Sequence, residues 1–378
     1  MNKPFIPVCE PTIGNLEREY LNQAFDSGWI SSGGDFNQRL ETEFSKYCGV
    51  KYGISVSNGT TALHLAIKAL DLKSGDEVIV PNHNGIYGAF ALFYENIKPV
   101  PVDAISGNWN INPQLIEEKI TSKTKAILVV HMYGHTCDMD PINAVAKKYN
   151  LSIIEDAAEA HGAEYKHLKA GCLGDIATFS FFANKVMTSG EGGLIVTNRK
   201  DLADRCIYFG NQCFPLNGPR NFIHEDVGHN YRLTNIQAAI AYAQFKQIET
   251  FIDKRRVVNA LYRDMLGEID GISFQKEESW AKNIFWMTCI TINQNETGFT
   301  RDDLEKHLAE NSIQTRRLFV GMNRQPVFKK QGIEINDSFP VSDFLADNGL
   351  YLPSSSHLSE DHISRITETI KTLKFKTN

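Results

Sequence analysis

The stretch YGISVSNGTTALHLAIKAL, Tyr52 to Leu70, joins two periodicities through a short polar turn. Tyr52 to Ser57 is a brief run rich in apolar and β-branched residues, as in a strand, whereas Thr61 to Leu70 places apolar residues at three- and four-residue steps, as on one face of a helix. Between them, Ser57-Asn58-Gly59-Thr60-Thr61 offers small residues whose backbone N–H groups and hydroxyls can converge on an anion, with the helix dipole adding attraction. A ligand-free, capped strand-to-helix turn uses the same residues.

The unit recurs outward from this stretch. Glu77 to Pro81, Lys98 to Asp103, Ala126 to Tyr133, Leu151 to Asp156, Ile176 to Phe181 and Gly193 to Thr197 complete seven expected strands. Several are apolar almost throughout, as expected where helices cover both sheet faces. Pro113 to Ile120 and Pro141 to Tyr149 each begin with proline, which suits a helix's first turn. Strands alternating with helices predict an α/β fold with a mostly parallel seven-stranded sheet. Beyond Thr197 the expected elements are a long helix from Asn235 to Arg255, a strand from Asn283 to Asn293, a helix from Arg301 to Asn311 and a final helix from Ser359 to Leu373. The 378 residues, at about 150 per domain, predict two domains. The expected division is a large domain over 1–250, N-terminal segment included, and a smaller α+β domain over 251–378.

The formal net charge is −6, which gives no overall pull towards nucleic acid or anionic lipid. Seven cysteines, odd in number and never spaced as CxxC, fit neither a disulfide framework nor a zinc site and read as thiols of a reducing cytoplasm. No metal centre is expected. The N-terminal residues lack the apolar stretch of a signal peptide, and no window approaches 18 uncharged apolar residues, so neither secretion nor membrane spanning is expected.

Two further segments carry chemistry. Asp156 ends the apolar run that begins at Leu151, and a carboxylate there is costly unless it meets a cation, either in a structural ion pair or at a protonated ring nitrogen of a ligand. In FSFFANKVMTSGEGG, Phe179 to Gly193, a strand delivers Ser180 and an irregular turn presents Lys185 in a nearly uncharged setting. Desolvation favours the neutral amine, the form that attacks an aldehyde carbon to form a Schiff base. An anion cup, a carboxylate and such a lysine together are the parts needed to hold pyridoxal phosphate. A nicotinamide enzyme is disfavoured, because no GxGxxG follows the early strands.

The order and content of these segments resemble the DegT/DnrJ/EryC1/StrS sugar aminotransferase family of fold type I, and within it the branch containing GDP-perosamine synthase. The segments that carry the resemblance are SGWISSGG (27–34), SNGTTALHLA (57–66), GDEVIVP (75–81), HMYGHTCDMD (131–140), EDAAEAHGA (155–163), FSFFANKVMTSGEGG (179–193) and HNYRLTNIQAAIA (229–241). They spread over essentially the whole chain. The resemblance implies that Lys185 bonds the cofactor and shuttles a proton, that Asp156 keeps the pyridine nitrogen protonated, and that Glu159 contacts the ring's phenolic oxygen. Ser57, Asn58, Gly59, Thr60 and Ser180 would hold the phosphate, and Asn230 would reach the phosphate in a neighbouring subunit, making a homodimer obligatory. L-Glutamate would be the amino donor, passing its amine through the pyridoxamine phosphate form. A nucleotide-linked keto sugar, GDP-4-keto-6-deoxymannose, would be the acceptor, and the product an amino sugar nucleotide for surface polysaccharide such as O-antigen.

Two segments depart from that pattern. Asn82-His83-Asn84-Gly85-Ile86-Tyr87-Gly88 puts Gly85 where relatives carry a ring-stacking aromatic, so either His83 or Tyr87 covers the ring or the space serves the substrate. In Arg316-Arg317-Leu318-Phe319-Val320-Gly321-Met322-Asn323, a proline after the first arginine and a histidine at Asn323 would be usual in perosamine-type enzymes. Trp29, His83, Gly85, Tyr87, Arg316 and Asn323 are therefore the candidate substrate residues, with Arg316 suited to a nucleotide diphosphate. The departures keep open a different keto acceptor, another nucleotide sugar or a smaller keto phosphate, and less favourably a non-catalytic regulator on the same scaffold. Lys185 itself favours transamination over the family's 3-dehydratase chemistry, which uses histidine at that position.

Overall fold

A computed structural model describes residues 4–217, 220 and 222–376. The strands are β1 (Tyr52–Val56), β2 (Glu77–Pro81), β3 (Lys98–Val102), β4 (Thr124–Val130), β5 (Ser152–Asp156), β6 (Glu164–Tyr165), β7 (Leu168–Lys169), β8 (Ile176–Ser180), β9 (Gly193–Thr197), β10 (Ile272–Phe274), β11 (Ala281–Lys282), β12 (Thr288–Ile292), β13 (Arg316–Arg317) and β14 (Gly349–Leu352). Seven of them form the expected sheet in the order β1-β9-β8-β5-β4-β2-β3. Only β9 runs against the rest, pairing antiparallel with both β1 and β8.

The alternation of side chains explains why the strands are apolar throughout. Ile79, Ile127, Val129 and Ile153 enter one buried cluster, while Val78, Val80, Ala126, Leu128 and Ile154 enter another on the opposite face. The helix Gly59–Ala69 buries Leu63, Leu65, Ala66 and Ile67 against the sheet. Its start is set by Asn58, whose side chain accepts the N–H of Thr61 at 2.9 Å while the Thr61 hydroxyl accepts the N–H of Asn58 at 3.2 Å. This reciprocal cap satisfies donors that the first turn leaves without intrahelical partners.

A second sheet, in the order β10-β12-β14-β13, is backed by the helices Arg301–Glu310 and Glu360–Lys376 around Ile290, Leu304, Leu350 and Ile366. The helix Ile248–Leu266 serves two cores, with Phe251 and Ile252 in the cluster of Val78 and Ile154 and Val258 and Tyr262 in that of the second sheet. No helix among the described residues is long and apolar enough to cross a membrane.

Several expected elements are corrected. The long helix is two, Asn235–Phe245 and Ile248–Leu266, parted where the side-chain amides of Gln244 and Gln247 both donate to Oε1 of buried Glu17, at 2.6 and 2.8 Å. Pro113 to Ile120 forms two short 3-10 turns, Pro113–Leu115 and Glu117–Lys119, because Ile120 is already extended. In the helix Met139–Tyr149, Pro141 is the third residue and not the first. β4 stops at Val130, since the next residues enter a turn in which Tyr133 has φ 56°. The strand expected from Asn283 to Asn293 covers only Thr288–Ile292. The segment before it is seated on that turn, the N–H of Trp286 donating to the Tyr133 carbonyl at 2.9 Å.

Candidate active site

The carboxyl ends of β1, β5 and β8 open on one cleft, where ligands of parallel α/β sheets collect. The chain leaving β1 is held by the N–H of Ser57 donating to the Tyr231 carbonyl at 2.7 Å, and the helix then opens at Gly59. Gly59 has no room for a side chain: an added Cβ would lie 2.8 Å from Cβ of Ser180. At Gly193 an added Cβ would lie 2.8 Å from the Asn58 carbonyl. The two glycines bring the helix start, the end of β8 and the start of β9 into backbone contact. The cup at Asn58, Gly59, Thr60 and Ser180 therefore presents main-chain donors to the cleft.

Lys185 lies deeper. Its Nζ is 3.9 Å from Oε1 of Glu159 and 4.1 Å from the centre of the Trp286 ring. Burial pushes the lysine amine down from its ordinary range; Glu159 and Asp156 oppose this, and Arg255 reinforces it. Burial likewise pushes the Glu159 carboxyl up to about 7, against the pull of Lys185 and of the Tyr133 N–H, which donates to Oε2 at 2.8 Å. Both shifts favour uncharged forms, and an uncharged amine is the nucleophile. Asp156 is also raised by burial, which the Ala158 N–H, 3.0 Å from Oδ1, and then Lys185 and His131 counter.

The cleft has a volume of about 730 Å³, within the range of cofactor and ligand sites. Of the expected residues, Asn58, Gly59, Thr60, Gly85, Tyr87, Asp156, Glu159, Ser180, Lys185 and Arg316 line it. Ser57, Trp29, His83, Asn230 and Asn323 do not. Trp29 and Asn230 are exposed on the surface. His83 is fully buried, with Nε2 2.9 Å from the Tyr133 hydroxyl, so it does not face the cleft. The Asn323 side chain is committed to Asn82 at 2.9 Å and Asp343 at 3.1 Å. Tyr87 occupies the room beside Gly85, where an added Cβ would meet the Tyr87 ring at 3.0 Å. Arg316 makes no ion pair among the described residues, whereas Arg317 pairs with Glu305 at 2.8 Å and Arg324 with Asp347 at 2.7 Å.

Sequence reasoning missed the aromatic wall of Trp286, Phe319 and Tyr351. Tyr133 stacks on Phe319 with ring centres 5.7 Å apart and planes 8° apart. The only local signal was an aromatic pair, Phe285-Trp286, inside a segment read as strand.

These residues fit pyridoxal phosphate: a cup closed to any side chain at Gly59, a buried carboxylate at a strand end, and a desolvated lysine in the same cleft. Sheet and site together define a pyridoxal-phosphate-dependent transferase of fold type I. The sequence profile of the DegT/DnrJ/EryC1/StrS aminotransferase family matches residues 11–371. The chain is 41% identical to the GDP-perosamine synthase of Escherichia coli O157:H7 over 97% of this chain and 98% of that one. It is 40% identical to the GDP-perosamine synthase of Caulobacter vibrioides over 96% of each chain. Among solved structures, S. venezuelae DesV superposes with a TM-score of 0.89 at 28% identity, covering 98% of this chain and 99% of that one. The chain belongs to the DegT/DnrJ/EryC1/StrS aminotransferase family.

Proposed function

We propose that this chain transfers the amino group of L-glutamate to a nucleotide-linked keto sugar, GDP-4-keto-6-deoxymannose, giving GDP-perosamine for surface polysaccharide. It acts as a cytoplasmic homodimer in which Asn230 of the partner subunit completes each phosphate site. The observation that carries the reading is the buried Lys185 amine, 3.9 Å from Glu159 in a cleft that also holds Asp156 and the glycine-walled cup. Near-full-length similarity to two GDP-perosamine synthases supports the choice of acceptor.

Pyridoxal phosphate, when bound, supplies an aldehyde and an electron-withdrawing ring that let the C–H bond beside the transferred nitrogen ionise. Lys185 would hold the cofactor at that aldehyde, and its amine would serve as the group that moves a proton between the two carbons. Asp156 would hold the ring nitrogen in its protonated form, the cation there offsetting the desolvation of a buried carboxylate. Glu159 meets the phenolic oxygen. Asn58, Gly59, Thr60 and Ser180 would hold the phosphate, Ser57 standing outside the cleft, and unpaired Arg316 would meet the diphosphate of the acceptor.

The Asn323 and Tyr87 arrangements favour a second acceptor, another nucleotide sugar or a smaller keto phosphate, as the alternative. Enzyme loaded with pyridoxamine phosphate is mixed with a panel of keto acceptors while absorbance of the pyridoxal form is followed. Its return with GDP-4-keto-6-deoxymannose supports the proposal; silence there and a response to another acceptor replaces that substrate.

A further inference from the structure

A chain of three side chains runs into the cleft that the roles above leave unused. Glu95, just past the helix Tyr87–Tyr94, has Oε1 2.7 Å from Nε2 of His64, and Nδ1 of His64 is 3.2 Å from the Tyr231 hydroxyl. His64 and Tyr231 both line the cleft.

The protons on this chain can be placed. Burial raises the Glu95 carboxyl, but hydrogen bonds from His64 and Lys68 outweigh it and hold the group below the usual carboxylate range; Lys68 Nζ is 3.2 Å from each oxygen. A carboxylate only accepts, so Nε2 of His64 carries a hydrogen. Burial pushes the His64 ring down from its ordinary range, which leaves one ring proton and a bare Nδ1. The Tyr231 hydroxyl must then donate to Nδ1, and its lone pairs are left to accept a hydrogen bond.

Tyr231 is also fixed in place. Its ring stacks on His229 with centres 4.7 Å apart and planes 15° apart, its N–H donates to the Gly210 carbonyl at 3.1 Å, and its carbonyl accepts the N–H of Ser57. Among the described residues, the charged or titratable groups in contact with this chain include Lys68, His229 and Tyr94, the last with its ring centre 5.3 Å from that of His64, and Asp71, Arg205 and Asp226 line a cavity beside Glu95. Ligand atoms of His64, Glu95 and His229 lie within 4.8 Å of one another, but Lys68 already stands on both Glu95 oxygens and supplies the cation there.

We propose that Tyr231 is a substrate-binding residue that accepts a hydrogen bond, with His64 and Glu95 as its positioning residues. Because its proton is committed to His64, Tyr231 selects a group that brings a hydrogen, a hydroxyl of the keto substrate or the ammonium of the amino donor, and not an unprotonated phosphate oxygen. The assignment rests on the aminotransferase reading above.

The test uses the pyridoxal phosphate holoenzyme and its Tyr231→Phe variant, which removes one oxygen. The two half-reactions, with amino donor and with keto acceptor, are followed separately by cofactor absorbance, alongside the cofactor dissociation constant. The expected result is a rise of about three- to tenfold in half-saturating concentration for one substrate, with maximal rate and cofactor affinity within about twofold. A rise for the keto acceptor assigns the hydroxyl, and a rise for the amino donor assigns the ammonium. Unchanged half-saturation in both, or loss of cofactor instead, overturns the proposal. His64→Phe is expected to give a similar rise, with no further loss in the double variant; additive losses overturn the positioning role. Wild-type holoenzyme that exchanges no amino group with any donor defeats the aminotransferase reading and this proposal together. Active wild type matched by Tyr231→Phe defeats the proposal alone.

Discussion

Gly59 and Ser180 meet so closely that a methyl group on the glycine would stand 2.8 Å from the serine's Cβ. Neither residue can yield alone, because one starts a capped helix and the other ends a central strand. Gly59→Ala is expected to cost about 1–3 kcal/mol and to weaken cofactor binding, as overpacking does elsewhere. Urea unfolding of the apoenzyme measures the first effect. Adding Ser180→Gly should recover most of the stability; if it does not, that contact is not the source.

Removing the amine of Lys185 is the sharpest chemical test. Lys185→Ala should lower amino-group exchange by more than about a hundredfold, the scale of losing a positioned proton carrier, with pyridoxal phosphate still bound noncovalently. Absorbance spectra of the purified variant, read with its exchange rate, check both halves of this expectation. Near-normal exchange would remove Lys185 from the chemistry.

At Asp156, function and stability should part. Burial raises this carboxyl, so without a bound cation its charge costs the apoenzyme stability at neutral pH. Asp156→Asn is therefore expected to unfold at the same or a higher urea concentration than wild type, yet to lose about a hundredfold or more in exchange rate. A variant that loses both together would indicate that the residue holds the fold.

Two buried histidines set an acid limit. Burial pushes His161 down to about 3 and His83 down to about 4. The folded state thus binds fewer protons than the unfolded chain once pH falls below the ordinary histidine value near 6.5. The stability contributed by these neutral rings is complete above that pH and is lost as pH falls towards 4, at about 1.4 kcal/mol per pH unit for each ring. His161 packs among Phe44, Phe179 and Phe181, so His161→Leu should lower the slope of apoenzyme stability between pH 6 and 4 by about 1.4 kcal/mol per pH unit. An unchanged slope would assign acid unfolding to other groups.

Strand and helix boundaries in the large sheet were legible to within a few residues because each depends on a short contiguous pattern, as at Tyr52–Val56 and Gly59–Ala69. The break after Phe245 was not legible. It comes from two glutamine amides bonding to Glu17, more than two hundred residues earlier, and no local pattern carries that bond.

Contiguous residues alone determined the α/β class and marked the small-residue turn at Ser57 to Thr61, the strand-end carboxylate and the lysine turn, since backbone periodicity and one or two side chains define each of them. Folding in three dimensions decided which side chains surround Lys185: Trp286 reaches it while bonding the Asn184 carbonyl across 102 residues, and the Tyr231 hydroxyl reaches His64 across 167. It also sent Asn323 to Asn82 and Asp343 and laid Tyr87 against Gly85. The physical reason is that such contacts follow from how helices and a second sheet dock on the first, and docking is set by close packing summed over many distant residues.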